Sequence, residues 1–82
     1  MVTITNLTGR ISLAEGYGIT DIRKDSITHI EKLPHRDYIS IYFKGGTPKF
    51  FRIEYSEVES PITDSVDELY ETLQGYLTTD PA

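Results

Sequence analysis

Apolar and polar residues alternate with a period of two over several short stretches of this chain. Val2-Thr3-Ile4-Thr5-Asn6-Leu7 is the first, rich in β-branched residues, and reads as a strand. Thr8-Gly9 ends it, and Ile11-Ser12-Leu13 fits the returning strand of a hairpin. Gly16-Tyr17-Gly18 reads as a turn, since glycine adopts backbone angles that other residues avoid. The spacing of Ile22, Ile27, Ile30 and Leu33 suits neither a regular helix nor a regular strand. It is best met by a polar turn at Arg23-Lys24-Asp25 and a bulged strand from about Ser26 to Lys32. Tyr38 to Phe43 is the clearest strand: Ile39, Ile41 and Phe43 share one face, Tyr38, Ser40 and Tyr42 the other. Lys44-Gly45-Gly46-Thr47-Pro48 reads as a hairpin loop before a strand from Phe50 to Tyr55. Ser56 to Pro61 is polar and is expected to leave the sheet.

The period then changes. Val66, Leu69, Tyr70, Leu73 and Leu77 form a single apolar stripe at helical spacing. The helix is expected to start near Thr63 or Asp64: Ser65 and Glu68 have the spacing of a capping box, and the acids Asp64, Asp67 and Glu68 suit the positive end of a helix dipole. The expected fold is α+β: an antiparallel meander of four to five strands, one C-terminal amphipathic helix across one face. A single domain spans 1–78, with a frayed tail over 79–82. Short meanders and PH-like half-barrels share this pattern, so strand order stays open. Ile4, Ile22, Ile27, Ile30, Ile39, Ile41, Phe43, Phe51, Ile53, Val66, Leu69, Leu73 and Leu77 are expected to supply most of the core.

Charge adds an asymmetry. All eight lysines and arginines precede position 54 and are offset there by five acids, whereas residues 54–82 hold eight acids and no base. One reading is an acidic helix packed on a mildly basic sheet. The other is a polar molecule whose acidic helix face (Asp64, Asp67, Glu68, Glu71) meets the basic sheet of a neighbour. With 82 residues and no cysteine, the chain has little surplus stability and no disulfide, thiolate metal site or thiol chemistry. Such a domain often gains stability from a partner or a second copy. No segment approaches the ~20 apolar residues of a membrane span. Met1 to Leu7 lacks the basic run of a signal peptide, so a cytoplasmic location, or an assembly built in the cytoplasm, is expected.

Motifs for chemistry are sparse. His29-x-Glu31 places two metal-competent side chains on one strand face, and His35-x-Asp37 follows nearby. Two exposed histidines in a charged turn explain the same residues, and no metal site is assigned. Ser, His and acidic residues occur, but no Gly-x-Ser-x-Gly elbow supports a nucleophile. Lys44-Gly45-Gly46-Thr47 lacks the order of a phosphate loop, and no helix follows it. No cofactor or small-molecule substrate is indicated, and the chain is expected not to be an enzyme. The remaining candidate surface is Tyr38, Tyr42 and Phe50 with Lys44, Lys49 and Arg52. Aromatics among bases stack single-stranded nucleic acid, but a net charge of −5 disfavours phosphate binding. Tyrosine and arginine are also enriched at protein interfaces.

Several segments resemble the small FlbD/SwrD-type flagellar proteins. The opening Met1-Val2-Thr3-Ile4-Thr5-Asn6-Leu7-Thr8-Gly9 is similar to that family's start. Ile27-x-x-Ile30-Glu31-x-x-Pro34, then Tyr38-Ile39-x-Ile41 and a glycine turn, is similar to its middle. Glu57-Val58 and the helix from Val66 to Leu77 have counterparts at its end, while residues 10–26 and the acidic loop are longer here. The resemblance implies a non-enzymatic accessory to a large assembly, with no catalytic residues. The expected function is a non-catalytic interaction or assembly module, of the phage-encoded or appendage-associated kind, that binds a protein partner or itself. The alternative is a small regulator contacting single-stranded nucleic acid.

Overall fold

The computed structural model describes residues 1–45 and 50–81. Seven strands and one helix follow in order: β1 (Val2–Leu7), β2 (Arg10–Glu15), β3 (Gly18–Arg23), β4 (Ile27–Lys32), β5 (Tyr38–Phe43), β6 (Phe50–Glu54), β7 (Val58–Ser60) and α1 (Val66–Thr78). They form two sheets, ordered β3-β2-β1-β7 and β4-β5-β6. The architecture is α+β, as the periodicity predicts, but the strands exceed the expected four to five and do not make a single meander.

The additional strands are β3 and β7. The segment around Ile19 to Arg23 hides its strand because its residues are almost all exposed; only Ile22 is buried. It pairs along its whole length with β2, from Glu15↔Gly18 to Arg10↔Arg23. The polar segment after Tyr55 leaves the sheet of β6, as expected, but crosses to the other sheet. Its residues Val58 to Ser60 pair in parallel with β1, at Val2↔Val58 and Thr3↔Ser60. Two tight hairpins start the four-stranded sheet. Gly9 at φ 75° and Gly16 at φ 56° occupy the left-handed region that side chains with a Cβ rarely enter.

The corner between β3 and β4 is a one-turn 3-10 helix at Lys24–Ser26, where a polar turn is expected. β4 pairs with β5 through a bulge between Ile27 and His29. That extra residue reconciles the i, i+3 spacing of Ile27 and Ile30 with two buried positions on one strand.

The core lies between the sheets and under α1. Val2, Ile4, Ile11, Leu13, Ile22, Ile27, Ile30, Ile39, Ile41, Ile53, Leu69 and Leu73 are buried, with Phe43, Val66, Tyr70, Tyr76 and Leu77 packed against them. Val2, Ile11 and Leu13 join the core because the second sheet and the helix both need the inner face of the first. Phe51 is a correction: it is 38% exposed. It faces inward beside Ile53, but β6 is the outermost strand of its sheet, and among the described residues no strand shields its far side.

Helix α1 begins at Val66, two to three residues after the expected start near Thr63 or Asp64, because Ser65 acts as its cap. Ser65 accepts a hydrogen bond from Glu68 N (3.2 Å), and the Glu68 carboxylate accepts one from Asp64 N (2.8 Å). The helix packs on β4 and β5, and Tyr70 donates to the Ile30 carbonyl. Lys32 of β4 meets Asp67 of α1 at 2.7 Å, and Lys24 of the 3-10 corner meets Asp80, beyond the helix, at 2.8 Å. Of the two charge readings, an acidic helix on a basic sheet is seen at the Lys32–Asp67 pair. The tail expected to fray is engaged at Thr79 and Asp80, through Asn6 Nδ2 and the Gly9 amide. No helix among the described residues is long and apolar enough to cross a membrane.

Candidate functional site

The three-stranded sheet has one face turned to the core and one turned away. Period two puts Tyr38, Ser40 and Tyr42 of β5 on the outward face, because Ile39 and Ile41 are buried inward. Antiparallel register then fixes their neighbours. His29 stands opposite Tyr42, and Glu31 opposite Ser40. On the other side Phe50 stands opposite Tyr42, Arg52 opposite Ser40, and Glu54 opposite Tyr38.

Two kinds of contact organise this face. The first is an aromatic row across all three strands. The His29 ring stacks on Tyr42 with centroids 4.5 Å apart and planes 11° apart. Tyr42 meets Phe50 at 5.7 Å and a 38° tilt. The second is a polar row beside it. The Arg52 guanidinium lies 4.1 Å from the centroid of the Tyr38 ring, where the negative ring face attracts a cation. Tyr42 Oη donates to Glu31 Oε1 at 3.4 Å. Ser40, between Glu31 and Arg52, is 6% exposed, overhung by its longer neighbours. Phe50 stays 44% exposed at the edge of the row.

Tyr38, Tyr42, Phe50 and Arg52 are thus brought to one face. Lys44 follows β5 directly, and its amide donates to the Ser26 carbonyl at the end of the sheet. Lys49 lies outside the described residues. Two residues of the face, His29 and Glu31, are read in the sequence only as metal candidates. Their shared face is legible from the i, i+2 spacing; their apposition to Tyr42 needs the strand pairing. His35 and Asp37 sit in the β4–β5 connection, His35 with φ 62° and Asp37 accepting from the Tyr55 amide. Among the described residues no three His, Cys, Asp or Glu side chains converge as metal ligands.

The acidic candidates have separate roles. Asp64 and Glu68 serve the helix start, Asp67 pairs with Lys32, and Glu71 is exposed. At the opposite end of α1, the Lys24 ammonium and then the Gly9 amide hold the Asp80 carboxyl below the usual carboxylate range. Comparison of the chain with protein-family models, curated proteins and solved structures finds no match.

Proposed function

We propose that this chain is a non-catalytic protein-interaction module whose contact surface is the outward face of β4, β5 and β6. It would serve as a component of a larger assembly, of the phage-encoded or appendage-associated kind. The observation that carries the reading is the His29–Tyr42–Phe50 row, ordered by ring contacts, with His29 and Phe50 exposed and Tyr42 half-buried between them. Rings already held by their neighbours lose little side-chain freedom on binding, so more of their burial contributes to affinity. Aromatic residues with an adjacent arginine are also the usual anchors of protein interfaces.

Glu31 and Glu54 share the face with Arg52, which lowers its attraction for phosphate. A protein surface therefore suits it better than a nucleic acid. The Arg52–Tyr38 stack is the observation that favours the second reading, single-stranded nucleic acid laid across the rings. A mobility shift that fades steeply with salt would select it.

The test of the leading reading uses wild type and a Tyr42→Ser/Phe50→Ser variant shown to melt cooperatively. Light scattering over a hundredfold concentration range reports self-association, and affinity capture reports other proteins. A complex formed by wild type and lost in the variant supports the proposal. A strict monomer that captures the same proteins as the variant removes it.

A further inference from the structure

The free edge of β6 borders a cleft of about 140 Å³ between the two sheets. Its floor is apolar: Val2 and Leu13 from the first sheet, Phe51 and Ile53 from β6. Three carboxylates, Glu15, Glu54 and Glu57, stand around it, and none makes an ion pair among the described residues. The nearby Arg52 directs its guanidinium to the Tyr38 ring.

The backbone of β6 adds a second feature. Tyr55 N donates to Asp37 O at 2.7 Å, in register with Ile39↔Ile53 and Ile41↔Phe51. Hydrogen-bonding direction alternates along an antiparallel strand. Phe51, Ile53 and Tyr55 therefore spend their amide and carbonyl groups on β5. Phe50, Arg52 and Glu54 point theirs outward along an edge that has no neighbouring strand among the described residues. An exposed row of this kind is a template for strand addition.

We infer that an extended peptide segment with apolar residues flanked by lysine or arginine adds to the free edge of β6, placing alternate side chains in the cleft. Backbone groups of Phe50, Arg52 and Glu54 pair with the segment. Phe51 and Leu13 receive its apolar side chains, and the three carboxylates receive its cations. A strand of six residues spans ~20 Å, enough to match the five residues of β6. The inference goes beyond the aromatic-face reading, since it uses the edge and the inward side of β6 rather than the outward rings.

The probe is an acetylated, amidated hexapeptide, Lys-Thr-Val-Thr-Val-Lys, compared with Glu-Thr-Val-Thr-Val-Glu by nuclear magnetic resonance titration. The expected result is movement of the Phe50, Arg52 and Glu54 amides with the lysine peptide, and at least tenfold weaker binding of the glutamate peptide. Arg52→Pro removes the outward N–H and weakens binding at least tenfold. If Arg52→Pro fails to fold, N-methylation of alternate peptide residues tests the same hydrogen bonds from the ligand's side. Shifts confined to the Tyr38 and Tyr42 rings would overturn the inference while leaving the aromatic-face reading intact. So would equal binding of the two peptides, or protection of the β6 amides by dimerisation without any peptide.

Discussion

Lys24 and Asp80 are 56 positions apart in sequence and joined by a 2.8 Å hydrogen bond. The bond belongs to a clasp. Lys24 also reaches the Thr79 carbonyl at 3.4 Å, Gly9 N donates to the same Asp80 oxygen at 3.1 Å, and Asn6 Nδ2 donates to Thr79 O at 2.9 Å. The clasp ties the end of α1 to the β1–β2 hairpin and to the corner between the sheets. The Lys24 side chain is only 10% exposed, so its ammonium depends on these oxygens.

The pH dependence follows from the direction of the Asp80 shift. Its carboxyl is held below the usual carboxylate range, first by Lys24 and then by the Gly9 amide. A depressed folded-state pKa means the clasp contributes fully above the unfolded Asp value of about 3.9. The contribution fades as pH falls from there through the lower folded value. Urea denaturation of wild type and Asp80→Asn should show a gap at neutral pH that narrows in strong acid. A gap constant from neutrality down to about pH 2 would contradict this.

The N-terminus of α1 offers a separate check. Among the described residues, only the Ser65 side chain accepts from the Glu68 amide. Ser65→Ala should cost about 1 kcal/mol, and Ser65→Asp close to nothing. Chemical denaturation with both variants measures it; equal losses would show that the cap contributes little.

Core packing predicts a larger effect. Leu69 is fully buried beneath the sheets, and Leu69→Ala removes a side chain whose loss typically costs ~2–5 kcal/mol. For so small a domain that is a large share of its stability. Phe51→Ala should cost less than Leu69→Ala, because Phe51 is 38% exposed at the open cleft. The two melting curves decide between this order and that expected of a closed core.

On the outward face, Arg52 and Tyr38 should couple measurably. An exposed cation over an aromatic ring contributes ~0.5–1 kcal/mol. A double-mutant cycle with Arg52→Ala and Tyr38→Leu should return a coupling of that order. A value near zero would mean that the 4.1 Å stack does not persist in solution.

Local rules account for much of the molecule. Alternation along Tyr38 to Phe43 dictates which side chains turn away from the core, and so makes Tyr38 and Tyr42 candidates for a surface. A helical stripe with a Ser65/Glu68 cap defines α1, because capping needs only residues three apart. Glycine at positions 9 and 16 permits the two turns.

Long-range pairing decided the rest. A three-residue strand such as Val58–Ser60 is too short to show a period, and its partner Val2 lies far off in sequence. β3 shows almost no buried residues because only Ile22 reaches the core, so burial leaves no alternation to read. His29 becomes part of an aromatic row only after the bulge at Ile27/His29 sets it opposite Tyr42. The exposure of Phe51 likewise depends on β6 being the last strand of its sheet. The sequence by itself determined the local periods, turns and caps, which act over a few residues. Which strands lie side by side, which edges stay free and which charges meet are set by contacts between distant segments, and only the tertiary structure decides them.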